Sequence, residues 1–149
     1  MKLTIAKSNY FENCLHEVSI SNRALQMQQY VQHGSTSTYA HCLRVAIFSY
    51  RISQIFNLNV DNKSLIRGAF LHDFYLYDWH EKSFAHRLHG FNHPHVALIN
   101  AEKDFCLNDI EKNIISSHMW PLTITKLPLC LEAVLVCVAD KLCSLGEIF

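Results

Sequence analysis

An all-α domain is the fold class that this sequence predicts, on three observations. Only four glycines and three prolines punctuate its 149 residues. No run alternates apolar and polar residues for long enough to suggest a strand ladder. Half of the residues are apolar and 17% are charged, so the chain can bury a sizeable core and is neither a disordered tail nor a solvated charged helix. The length suits one domain, read as residues 1–149, built as a bundle of about five to seven helices. No internal repeat, low-complexity tract or linker divides it.

The elements follow in order. A first helix is expected over about Asn9 to Gln32, ending at His33-Gly34, where glycine can take a left-handed cap. The Ser35-Thr36-Ser37-Thr38 cluster supplies N-cap hydroxyls for a second helix to about Phe56. Its two apolar stripes, Leu43, Ala46, Ile47 and Tyr50 beside Val45, Phe48, Ile52 and Ile55, mark it as the central helix. Asp61 caps a third helix that ends near His72-Asp73, and an aromatic, histidine-rich loop follows from Phe74 to His93. Pro94 suits the first turn of a helix running to Phe105, and Asn108 caps another to about His118, which Trp120-Pro121 breaks. The last helix starts near Pro128 and runs through Ala139 into Asp140-Lys141.

Composition excludes several functions. Thirteen basic residues balance thirteen acidic ones, and no basic segment is present to neutralise a phosphate backbone, so duplex nucleic acid is not an expected partner. The apolar stretch Leu129 to Ala139 is interrupted by Glu132 and is far short of the ~20 residues that span a bilayer. No membrane association is expected. Met1 to Tyr10 lacks the apolar run of a secretory signal, so the cytoplasm is the expected location. The six cysteines form no C-x-x-C pair and read as buried, reduced side chains.

Ten histidines are the anomaly, and they point to the chemistry. His41 lies in the second helix, His72-Asp73 at the end of the third, His93 before the next, His118 at a helix end, and Asp140 in the last. Successive gaps of 31, 20, 25 and 22 residues each fit one helix and its connection, which spreads candidate ligands over facing helices of a bundle. Asp140 follows seven apolar residues and, once buried, needs a partner or a metal. Imidazole with carboxylate and no thiolate suits iron, manganese, zinc or cobalt rather than a structural zinc site.

The order His, His-Asp, Asp resembles the motif of the HD-domain superfamily of metal-dependent phosphohydrolases over about residues 35–144. The strings His41-Cys42-Leu43-Arg44-Val45-Ala46, Gly68-Ala69-Phe70-Leu71-His72-Asp73 and Val138-Ala139-Asp140-Lys141-Leu142 carry the resemblance. His93-Pro94 with Ala97, and Ile114-Ile115-Ser116-Ser117-His118, are similar to the two further histidine segments of the members that hold two metals. His89 and His95 stand as alternatives to His93. The resemblance implies a helical bundle with a dinuclear site in its core, ligated by His41, His72, Asp73, His93, His118 and Asp140, with Asp73 bridging and acting as the catalytic residue. Two divalent ions are implied, iron or manganese first, with zinc, cobalt, nickel and magnesium as further candidates. Where many relatives follow His-Asp with x-Gly-Lys, this chain has Phe74-Tyr75-Leu76, which removes a phosphate-binding lysine.

The implied activity is hydrolysis of a phosphomonoester, phosphodiester or phosphoanhydride by a hydroxide bridging the metals. A nucleotide, dinucleotide or similar small phosphorylated metabolite is the implied substrate; the two-metal relatives include dinucleoside polyphosphate hydrolases and cyclic dinucleotide phosphodiesterases. Arg44, one turn after His41, and Lys141 are the candidate phosphate ligands. The loop from Tyr75 to Phe91, with Tyr77, Trp79, His80, His86, Arg87 and His89, is the candidate pocket wall, and Trp120 a further stacking surface. His16, His33 and His80 read as surface residues. The rival readings are a mixed-valence diiron oxygenase built on the same ligands and a non-catalytic ligand-sensing module. Leu142, Leu145 and Ile148 suggest that the last helix is still running near Phe149, which leaves open a C-terminal piece folded on the pocket or a homodimer.

Overall fold

The computed structural model describes residues 3–80 and 89–148. Seven α-helices account for most of them: α1 (Ile5–Ser19), α2 (Asn22–Gln26), α3 (Thr38–Ile55), α4 (Asn62–Leu71), α5 (His89–Asp104), α6 (Asp109–Ser117) and α7 (Leu131–Ile148). Sheet is confined, among the described residues, to one hairpin of β1 (Val31–His33) and β2 (Thr36–Ser37). The all-α expectation therefore holds. No helix among the described residues is long and apolar enough to cross a membrane.

Most helix starts follow their caps. Ser37 accepts from Ala40 N at the start of α3, and Asp61 accepts from Ser64 N at the start of α4. Asn108 and Glu111 form a reciprocal capping box on α6. The expected first helix over Asn9 to Gln32 is not one helix. Thr4 caps α1 five residues before Asn9, α1 stops at Ser19, and Ser21 takes the Ala24 amide at 3.1 Å to start α2. A serine cap competes well with helix continuation because its hydroxyl satisfies an otherwise orphaned amide. The chain then turns at Gly34, with φ +56°, and the hairpin replaces the helix end expected there. Pro94 is likewise not in a first turn. Helix α5 starts at His89, so Pro94 lies in the second turn and forgoes the bond to the Gly90 carbonyl.

The centre of the bundle is α4, not α3. Every residue of α4 from Ser64 to Leu71 is buried, and the helix packs against α1, α3, α6 and α7. On α3, Val45, Ala46 and Tyr50 are buried, whereas Phe48, Ile55 and the following Phe56 are exposed, so its second apolar stripe faces outward in part. Gly68 permits the closest approach in the core. A Cβ there would lie 2.6 Å from Ile114 Cδ1 and 3.1 Å from Ile114 Cβ, so α4 and α6 meet across a missing side chain. All six cysteines are free thiols; Cys106 is exposed, unlike the buried Cys14, Cys42 and Cys137.

Candidate metal centre

Five helices deliver polar side chains to one point in this apolar core. His41 comes from the first turn of α3, and Asp140 from the middle of α7. His72 and His118 are the C-caps of α4 and α6, and Asp73 follows His72. His93 comes from α5. All six residues expected as ligands converge, and all six are buried. His95 is exposed on α5, and the side chain of His89 lies outside the described residues.

Each helix end also fixes a ring. The two C-cap histidines bond back to carbonyls three residues earlier, His72 Nδ1 to Ala69 O at 2.7 Å and His118 Nδ1 to Ile115 O at 2.9 Å. A carbonyl can only accept, so both Nδ1 atoms carry hydrogen. His41 Nδ1 in turn faces the Glu147 carboxylate, 2.9 Å from Oε2. All three imidazoles thus present Nε2 to the interior, the arrangement that second-sphere partners impose on metal-ligating histidines.

Asp73 lies between two groups of donor atoms. Its Oδ2 is 3.4 Å from His72 Nε2 and 3.9 Å from His41 Nε2, and these nitrogens are 3.7 and 3.1 Å from Asp140 Oδ1. Its Oδ1 is 3.1 Å from His93 Nε2 and 3.3 Å from His118 Nε2, which are 2.8 Å from one another. Donors bound to one ion at about 2.1 Å stand roughly 3.0 to 3.4 Å apart; the distances of 3.1, 3.1, 3.3 and 3.4 Å fall in that range, and those of 2.8, 3.7 and 3.9 Å lie close outside it. Two atoms make the same point. His72 Nε2 and Asp73 Oδ1 are fully buried with no hydrogen-bond partner, a state that is costly unless a cation faces them. The residues fit a hard or borderline cation with nitrogen and oxygen ligands.

The electrostatics are those of a site compensated by protons. Burial opposes the charge on Asp73, but the positive fields of His72 and His93 and the close approach of His118 hold its carboxyl well below the usual range. Asp140 is pushed the same way, against burial, by its bond to His41 and by the nearby His72 imidazole. Burial likewise disfavours imidazolium at His41 and His72, yet Asp140 and Glu147 raise His41, and Asp73 raises His72 far above its ordinary value. Burial prevails at His118, which is shifted down.

A second layer was not legible in the ligand motif. Gln32, buried on β1, donates its amide to Asp73 Oδ2 at 2.6 Å. Its own oxygen accepts from Tyr75 Oη and lies 3.3 Å from Thr38 Oγ1. Tyr75 stands two residues after Asp73. Its phenol is pushed well above the ordinary range by burial and by Asp73, so it donates rather than ionises. Glu147 was also missed, although Asp140, Ser144 and Glu147 share one helix face at spacings of four and three. For Gln32 no sequence signal exists, because a hairpin brings it to the site.

The two expected phosphate ligands part company. Arg44 is half-exposed and donates to Glu147 Oε1 at 2.9 Å, away from the residues that line the adjoining cleft. Lys141 does line it, with Nζ 3.1 Å from the carbonyls of both His118 and Cys137. Trp79 forms part of the wall, whereas Trp120 is partly exposed and not among the lining residues. His86 and Arg87 lie outside the described residues. His16 and His80 are exposed, but His33 is not simply a surface residue. It lines the cleft with its ring 5.8 Å from that of His41, and burial lowers its pKa.

A helical bundle that gathers imidazoles and carboxylates around a shared aspartate defines a candidate metal-binding helical protein. Residues 38–145 match the family model of the HD domain, and the chain belongs to that family. This suggests the superfamily of metal-dependent phosphohydrolases. No curated protein and no solved structure matches the chain.

Proposed function

We propose that the protein is a metal-dependent phosphohydrolase, with His41, His72, Asp73, His93, His118 and Asp140 holding two divalent ions. Its substrate in this reading is a small phosphorylated metabolite, nucleotides and dinucleotides being the classes met among the two-metal relatives it resembles. The observation that carries the reading is the division of Asp73: each carboxylate oxygen faces a different cluster of ligand atoms. When bound, the cations supply the positive charge that orients a phosphoryl group and acidifies a water.

The chain's own groups have separate tasks. The bonds at Nδ1 hold His41, His72 and His118 in one tautomer and one orientation, so no reorganisation is required when a ligand arrives. Gln32 holds the Asp73 carboxylate at Oδ2, which keeps Oδ1 directed at His93 and His118. Lys141 adds a positive charge at the cleft wall beside His118. The surrounding apolar walls keep bulk water off these groups and so strengthen each electrostatic contact.

The test is product chromatography on manganese- or iron-loaded protein against a panel of phosphate esters and anhydrides, with Asp73→Asn as control. The expected result is metal-dependent release of a phosphorylated or dephosphorylated product that the control does not give. A blank from wild-type protein shown to hold its metals overturns the reading.

A further inference from the structure

A cleft of about 990 Å³ opens from the metal centre, and its chemistry is uneven. Asp73, His93, His118 and Asp140 lie at one end. The rest of the described wall joins the apolar Trp79, Met119, Pro121, Leu122 and Leu145 to Gln32, His33, Gly90, Lys141 and Ser144. Among the described lining residues Lys141 is the sole lysine or arginine, and two carbonyls already accept from its ammonium group. Arg44, the other expected phosphate ligand, is turned to Glu147 outside the cleft.

A single phosphoryl group can be served at the metal end. Among the described lining residues, a second phosphate or the hydroxyls of a sugar would meet few uncommitted donors, because Gln32 donates to Asp73, Ser144 to Asp140 and Lys141 to two carbonyls, and burying unpaired polar or charged groups is costly. An alkyl or flat hydrocarbon body gains from the same wall, by about fourfold in affinity per buried methylene. We propose that the cleft binds a phosphate monoester whose alcohol part is apolar and uncharged, and that it discriminates against polyphosphates. This rests on the phosphohydrolase reading for the metal end and, within its small phosphorylated metabolites, sets apolar monoesters ahead of the nucleotides and dinucleotides met among the relatives. Hydrolysis forms the new P–O bond from water and breaks the bond to the alkyl oxygen. That oxygen leaves with the water's second proton as the alcohol, and nothing besides water is consumed.

The test separates binding from turnover. Calorimetric titrations of manganese-saturated protein compare n-hexylphosphonate, methylphosphonate and a methylene-bridged nucleoside triphosphate, none of which is hydrolysed at the relevant bond. The expected result is n-hexylphosphonate binding about tenfold or more tighter than methylphosphonate, and tighter than the triphosphate. Leu122 and Leu145 are about half-exposed, at 48% and 55%, so Leu122→Ser with Leu145→Ser is compatible with folding and should bring the hexyl-to-methyl ratio close to one. Equal affinities for the two phosphonates in the wild type, or tighter binding of the triphosphate, overturn the proposal. Absence of turnover on n-hexyl phosphate and on every other ester, with the binding ratio intact, overturns the phosphohydrolase reading instead.

Discussion

The amide of Gln32 reaches across 41 residues of sequence to donate to Oδ2 of Asp73 at 2.6 Å. A bond to a charged acceptor is worth about 1.5 to 3 kcal/mol, and this one also decides which oxygen of Asp73 is left without a protein donor. Gln32→Leu keeps the approximate volume and removes the donor. Manganese affinity, measured by equilibrium dialysis, should fall about 10- to 100-fold, as it does when second-sphere partners are removed from other sites. Unchanged affinity would show that Asp73 is held by its histidine neighbours alone.

Glu147 and Arg44 form a pair with unequal consequences. The Glu147 side chain is fully buried and holds His41 Nδ1, whereas the Arg44 side chain is half-exposed. Glu147→Gln should weaken manganese binding about 10-fold or more. Arg44→Ala should leave KM for a phosphate ester within about twofold, since its half-exposed guanidinium is turned to Glu147 outside the cleft. Lys141→Ala, by contrast, should raise KM about tenfold through loss of a charge-assisted contact. Steady-state kinetics on the three variants check the ranking, and a large KM effect at Arg44 would place its guanidinium on the substrate.

The metal-free protein should lose stability between pH 7 and pH 8. His41 and His72 have folded-state pKa values above the ordinary 6.5, so in this window the folded chain binds more protons than the unfolded one. Stability then falls as pH rises. His118 and His33 are shifted down and so act in the opposite sense, but only weakly, because an unfolded imidazole is already mostly neutral above pH 7. Bound manganese replaces those protons and should flatten or reverse the slope. Thermal melts with and without manganese check this, each kcal/mol corresponding to about 2 to 4 °C at this size. A metal-free melting temperature that rises across the window contradicts the assigned directions.

Gly68 is predicted to resist substitution. Alanine usually stabilises a helix interior by about 1 kcal/mol relative to glycine, but the added methyl would strike Ile114 at three atoms, the nearest 2.6 Å away. Overpacking costs about 1 to 3 kcal/mol, so after the helix-propensity gain Gly68→Ala should be destabilising by up to about 2 kcal/mol in urea denaturation. Truncating Ile114 to alanine should cost less in the Gly68→Ala background than in the wild type, and the difference measures the contact.

What the sequence disclosed and what it withheld differ in range. Helix starts at Ser37, Asp61 and Asn108 depend on residues three or four positions apart, and the caps predicted there are present. The convergence of the six candidate ligands was legible because each sits at a fixed place on its own helix. The break at Ser19 was hidden, since Ser21 can either continue a helix or cap the next one, and tertiary packing decides. The centrality of α4 over α3 was hidden for the same reason. Gln32 acquires its role only when the hairpin folds, and no local pattern records a partner so distant in sequence.

The placement of the candidate ligands has a consequence for the order of events during synthesis. His41, His72 and Asp73 emerge early, but Asp140 and the Glu147 that steadies His41 belong to α7. A nascent chain paused before α7 can offer cations only a fragment of the cluster, and its histidines remain exchangeable ligands for whichever ion is nearest. On the proposed metal-binding reading, the full set of candidate ligands comes together only when the last helix has docked.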